Sequence, residues 1–223
     1  MAAPSRSRTG PRAPKQDRSR SSLRRLLDTT ATMLEEEGYA DFTLQEVSKR
    51  SKVSIGSIYH LFANKQELVR EVQIRFLDRI NQEHALMVNA LRRKGLTLRE
   101  LIPQSVHEYG EFLRRNAGLL RVFMQIAPMD ELVAAAGKES FAQSVRDFEL
   151  LILDRRDEIR HPDPEHAVNS AFRIMYAAVG RYLGLGTTPD VMAEGDWNAL
   201  VDDVSLMVLY FLLGDPAELQ NGK

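Results

Sequence analysis

The sequence contains no cysteine. Disulfide cross-links, thiolate catalysis and cysteine-ligated zinc are therefore excluded, and a reducing cytoplasm is its natural setting. Long apolar runs are missing as well. The longest, residues 206–213, falls far short of the roughly 18 residues a membrane span needs and reads as a buried helix. No G-x-S-x-G nucleophile elbow and no Walker A loop occur. Gly184-Leu185-Gly186 is not a dinucleotide fingerprint, because Pro189 stands where the third glycine belongs and no strand precedes it. Period-2 strand patterning and long internal repeats are absent too.

Net charge is almost nil, −1 over 223 residues, but it is unevenly spread. Residues 1–75 carry 14 Lys and Arg against 9 Asp and Glu, whereas residues 76–223 carry 16 against 22. A basic front joined to an acidic back suggests a polyanion partner for the front alone. Residues 1–17 are rich in Arg, Ser and Pro. They lack the apolar core of a secretory signal, loosely resemble a transit peptide, and read more simply as a disordered basic tail.

What the chain does have is helical periodicity throughout, so the fold class is all-α. A first helix is expected over 21–37, with Leu23, Leu26, Leu27, Thr30, Ala31 and Leu34 as its buried stripe and Gly38 as a left-handed stop. Thr43-Leu44-Gln45-Glu46 and Thr97-Leu98-Arg99-Glu100 are capping boxes with hydrophobic staples, and Asn64 precedes Glu67 at the same spacing. Helices therefore start near 44, 65 and 98. The space from 43 to 64 holds only two short helices, 44–51 and 54–62, joined by about three residues, which is helix-turn-helix geometry. Further helices are expected over 116–125, within 130–160 with a break near Gly137, over 164–183 behind Asp163-Pro164, and over 197–213 behind Asp196.

Rotation by 100° per residue from Ser54 puts Ile58, Leu61 and Phe62 inward. Gly56, Tyr59 and His60 fall outward, flanked by Ile55 and Ser57. An outward glycine costs a helix roughly 1 kcal/mol against alanine and makes sense where the bare backbone must approach something closely. Tyr59 and His60 offer donors to phosphates, and Ser57 and Ile55 suit base edges. Lys65, a cation opposing the dipole of its own helix start, is expected to face an external anion.

The stretches Phe42-Thr43-Leu44-Gln45-Glu46-Val47, Val53-Ser54-Ile55-Gly56-Ser57-Ile58-Tyr59-His60-Leu61-Phe62 and Asn64-Lys65-Gln66-Glu67-Leu68 resemble the N-terminal domain of the tetracycline-repressor (TetR) family. That resemblance implies a DNA-binding domain over 18–78 and a helical ligand-binding and dimerisation domain over 79–223. It implies that Thr43, Tyr59, His60 and Lys65 hold phosphates and that Ser54, Gly56 and Ser57 lie in the major groove. It also implies a cytoplasmic homodimer, not an enzyme and without a cofactor, on a palindromic double-stranded operator, released by a small hydrophobic or aromatic effector. One departure stands out: Ser51-Lys52 replaces the family's usual Ala-Gly. A left-handed Lys52 costs on the order of 1–2 kcal/mol unless it contacts phosphate.

In the back half, the broadly apolar helices at 164–183 and 197–213 suit a dimeric four-helix bundle. Candidate pocket residues are His107, Tyr109, Phe112, Phe123, Met124, Phe148, Phe172, Met175 and Tyr176. His161 to His166 reads as a proline-rich helix start rather than a metal site. Two alternatives remain open at this level. One is a helical enzyme or carrier with an incidental helix-turn-helix, though no convergent acid–base or nucleophile set is visible. The other is a DNA-binding protein without effector control.

Overall fold

A computed structural model describes residues 13–186 and 195–214. Most of the expected tail, together with Pro189 and Pro216, lies outside them. Eight α-helices and two one-turn 3-10 segments make up the described residues. They divide into two compact units that meet inside one helix, between Val72 and Gln73.

The first unit begins with α1, Ala13–Asp41, broken at Gly38, whose φ of 75° is the left-handed stop the sequence predicts. The helix starts well ahead of residue 21, so residues 13–17, expected in the tail, are helical. Helices α2, Leu44–Ser51, and α3, Ile55–Leu61, follow, and α4, Lys65–Arg93, opens in this unit. Their apolar stripes meet in one core: Leu26, Met33, Leu34, Phe42, Val47, Ile58 and Leu68 are all buried. Thr30, equally buried, donates its hydroxyl to the Leu26 carbonyl at 2.8 Å, so no polar group is stranded there. Arg50 holds α2 to α1 by ion pairs to Glu36 and Glu37 while also bonding Glu46 on its own helix. These carboxylates raise its pKa further above the ordinary guanidinium value.

The second unit is built around α5, Leu98–Ile126, which packs on α6, Glu131–Leu153, α7, Pro164–Tyr182, and α8, Trp197–Leu213. At its start the Glu100 carboxylate accepts from the Thr97 N–H at 3.0 Å and hydroxyl at 2.8 Å. Those two donors hold the Glu100 pKa below the usual carboxylate value. Two helix ends predicted here do not exist. Asn116, read as an N-cap, is buried in mid-helix; its amide donates to the Phe112 carbonyl and its oxygen accepts from Arg79. Once its polar atoms are satisfied inside the helix, nothing terminates it. Gly137 likewise sits inside an unbroken α6.

Asp163 caps α7 through the His166 N–H, and His161 bonds the backbone of Asp163, so this stretch serves the turn. Helix α8 is broadly apolar but buried on one side: Val201, Val208 and Leu212 face inward, while Leu206, Met207, Tyr210 and Phe211 are exposed, as are Asp202 and Asp203 nearer its start.

Candidate nucleic-acid interface and effector cavity

The turn between α2 and α3 is as tight as the spacing requires. Lys52 has φ 55° and ψ 32°, so the turn keeps the left-handed residue rather than a different path, and it is the one non-glycine residue with positive φ among the described residues. Two serines stitch the turn around it. Ser48 donates its hydroxyl to the Val53 carbonyl at 2.7 Å, and the Ser51 hydroxyl accepts from the Val53 N–H at 3.3 Å. These bonds offset the backbone strain, and the Lys52 side chain stays exposed.

Thr43 caps α2 by accepting from the Glu46 N–H, which leaves its own hydroxyl proton available at an exposed helix start. Ser54 does the same for α3 through the Ser57 N–H, and the two serine hydroxyls lie 2.7 Å apart. Ile55, Gly56, Ser57, Tyr59 and His60 are all exposed, Tyr59 to 52%. A Cβ built on Gly56 meets nothing within 4 Å. No neighbour among the described residues therefore excludes a side chain there, and helix propensity argues for one.

Rotation along the helix misplaces Leu61, which is 48% exposed rather than packed inward. It lines a groove of about 670 Å³ together with Ser19, Ser22 and Leu23 of α1 and Lys52, Ser54, Gly56, Ser57 and His60. The groove thus gathers five of the expected DNA-facing residues. It also adds the α1 serines, whose only sequence signal is the Arg- and Ser-rich run around them.

Lys65 behaves differently from expectation. Instead of facing outward, its ammonium donates to the Tyr39 carbonyl at 2.6 Å and sits 4.5 and 4.3 Å from the Tyr39 and Phe42 ring centres. Partial burial lowers its pKa, and Asp41 opposes that shift. The Tyr39 carbonyl lies just past the Gly38 break, where α1 leaves carbonyls unpaired. Lys65 therefore closes the head upon itself. Replacing it with alanine is expected to destabilise the protein by about 1–2 kcal/mol, the worth of a partly buried charged hydrogen bond with cation–π support. A thermal melt checks this; an unchanged melting temperature returns Lys65 to the role of a simple phosphate contact.

The second unit holds a cavity of about 300 Å³. Phe76, Leu77 and Ile80 of α4, Tyr109, Phe112, Phe123 and Met124 of α5, Val133 and Phe141 of α6 and Tyr176 of α7 form most of its wall. Five of the nine candidates are therefore found there: Tyr109, Phe112, Phe123, Met124 and Tyr176. His107 is not; it is exposed. Phe148, Phe172 and Met175 are buried core behind the wall, with Phe172 and Phe148 5.1 Å apart and both against Tyr109. Sequence periodicity marks all of these as apolar but cannot separate lining from packing. Gln73, Ser140 and Ser144 add polar groups to the lining. Gln73 donates to the Val133 carbonyl, Ser140 to Asn81, and Ser144 to the Ser140 carbonyl. Burial pushes the Tyr109 phenol well above its usual value, so it is neutral.

Next to this wall lies His84, 2% exposed, in ring contact with Tyr109 and Phe112. Its Nδ1 is 3.5 Å from Asp147, and its buried Nε2 has no partner. Burial lowers its pKa and Asp147 opposes the shift, so the ring is neutral at pH 7. An unfolded histidine titrates near about 6.5. As pH falls below that value, the unfolded chain takes up the proton first, and the stability fully present above it is lost towards the lowered folded value. His84→Phe is expected to reduce the drop in melting temperature between pH 7.5 and 5.5. An equal drop in both proteins assigns the acid sensitivity elsewhere.

Among the described residues no helix is long and apolar enough to cross a membrane. Residues 26–72 match the model of the bacterial regulatory proteins of the tetR family. The chain is 32% identical over 94 residues to the HTH-type transcriptional repressor KstR2 of Rhodococcus jostii, covering 41% of this chain and 46% of that protein. It is 24% identical over 141 residues to the A-factor receptor protein of Streptomyces griseus, covering 52% and 51%. The match thus spans about half the length of these curated relatives. The fold matches a TetR-family regulator from Mesorhizobium loti with a TM-score of 0.71 at 17% identity, over 87% of this chain and 96% of that one. It also matches the fatty acid degradation regulator FadR of Bacillus halodurans with a TM-score of 0.59 at 18% identity, over 90% and 97%. The helix-turn-helix head, residues 26–72, thus matches the tetR family of bacterial regulatory proteins, and the all-helical fold is the one that solved TetR-family regulators share.

Proposed function

We propose that this regulator is a repressor that binds a palindromic operator as a homodimer and lets go when a small, largely apolar molecule occupies the cavity of the second unit. The observation that carries the DNA-binding part is Gly56: an exposed glycine in the first turn of α3, where a Cβ would meet nothing among the described residues, on a face that also presents Ser57, Tyr59 and His60. Close approach of a sugar–phosphate backbone supplies the missing reason. Thr43, Lys52, Ser54 and Ile55 complete the contact set.

Support for the dimer comes from α8. Large apolar side chains grouped along one helix are normally buried, and the C-terminal half of this one leaves Leu206, Met207, Tyr210 and Phe211 uncovered, as α7 leaves Ile174. Support for effector control comes from α4, which begins at Lys65 in the head and supplies Phe76, Leu77 and Ile80 to the cavity wall. A ligand that prefers one position of those three side chains biases the helix, and by linkage it favours or disfavours the DNA-competent dimer. The test is binding of the purified protein to the DNA upstream of its own coding sequence at several salt concentrations. Specific binding whose logarithm falls steeply with log salt is expected. Binding no tighter than to random DNA overturns the assignment.

A further inference from the structure

Among the side chains lining the cavity the one charged group is Lys138, which also borders the groove outside; Gln73, Ser140 and Ser144 are bonded within the protein, to Val133, Asn81 and Ser140. A carboxylate drawn past Lys138 into the apolar part of the cavity would lose its hydration without a charged partner to replace it. The interior therefore suits only the apolar part of a ligand.

The exterior is different. A surface groove runs alongside, lined by Lys138, Ala142, Val145, Arg146, Glu149, Asn169 and Arg173. Lys138, Phe141 and Tyr176 belong to the walls of both spaces. The rings of Phe141 and Tyr176, 4.7 Å apart, stand between them. Three cations thus lie along the groove against one carboxylate, Glu149, which already accepts from the Asn169 amide at 2.6 Å. Arg146 is tied to Gln143, but Lys138 and Arg173 make no ion pair with the described residues. Their charge is uncompensated at the mouth of an apolar hole.

We propose, resting on the reading of the cavity as the effector site, that the effector is an amphipathic monocarboxylate. Its apolar body fills the cavity, its chain passes Phe141 and Tyr176, and its carboxylate is held outside by Lys138 and Arg173. At about 300 Å³ the cavity is at the small end of ligand sites, so the body is a medium-length chain or a single ring system.

Octanoate and 1-octanol share a chain and differ in the head, so they separate the two parts of this idea. Isothermal titration is expected to show octanoate binding more tightly than octanol, with only octanoate weakened by added salt. Lys138→Gln with Arg173→Gln is expected to weaken octanoate about fivefold, as for two exposed ion pairs, and to leave octanol unchanged. Ala134 also lines the cavity, and Ala134→Trp, which fills it, is expected to abolish both. Octanol binding as tightly as octanoate, or a double variant without effect on octanoate, overturns the carboxylate assignment and leaves the cavity reading standing. Binding of neither compound, or of both undiminished in Ala134→Trp, overturns the cavity reading and the carboxylate with it.

Discussion

Gly56→Ala is expected to make the protein more stable and a worse DNA binder, two opposite effects from one methyl group. The stability gain follows from helix propensity. Alanine is favoured over glycine by about 1 kcal/mol in a helix interior and by less in the first turn, where Gly56 is the second residue of α3, and the added Cβ meets no atom of the described residues within 4 Å, so nothing among them opposes it. For a small domain that is a rise of several degrees in melting temperature. The loss of binding follows if DNA occupies the space beside the bare backbone. An extra methyl in a filled contact costs about 1–3 kcal/mol, and a two-headed complex meets that cost twice. Operator affinity is therefore expected to fall tenfold or more, read by fluorescence anisotropy on a labelled duplex. A variant that melts higher and binds the operator as well as the parent removes the outward face of α3 from the DNA.

That residue also shows how far the sequence can be read. Gly56, Tyr59 and His60 were legible as an outward face because a helix repeats every 3.6 residues and their neighbours Ile58 and Phe62 are apolar. The starts of α2, α4, α5 and α8 were legible for a related reason: capping residues act within three or four positions of one another. The errors share a different cause. Leu61 is apolar but borders the groove beside α1, and no local pattern records what stands opposite. The helix-start position of Lys65 points to an external anion, whereas the partner it has within the fold is a carbonyl 26 residues earlier. Asn116 was read as a cap because Asn favours caps, but Arg79, 37 residues away, satisfies it in mid-helix. In the cavity, Tyr109 and Phe172 have the same sequence character, and only their distance from the empty space separates lining from core. Local rules located the elements; contacts distant along the chain decided which side chains were left for function.

A negative charge at Met207 is expected to have the largest effect of any single change outside the head. Met207 is 62% exposed, and Leu206 and Tyr210 on the same helix and Ile174 of α7 are exposed to between 50% and 68%. On a protomer these side chains expose apolar surface; in the homodimer proposed above the face closes against its copy into a four-helix seam of two α7 and two α8 helices. Because a two-fold interface presents each residue twice, Met207→Glu places two carboxylates in one apolar seam, where neither finds a partner. The protein is expected to sediment as a single chain of 25.3 kDa rather than as twice that mass. Each head then reaches its half-site alone. The second contact no longer benefits from being tethered to the first, so operator affinity is expected to fall at least about a hundredfold. Met129→Glu is the matched control. Met129 is still more exposed, at 73%, but lies in the 3-10 turn between α5 and α6, and its substitution is expected to change neither mass nor affinity. Because Met207 is exposed in the protomer, the helical content and melting of the isolated chain separate a lost interface from a lost fold. A Met207→Glu protein that stays dimeric and holds its operator as tightly as the parent places the dimer seam somewhere other than α8.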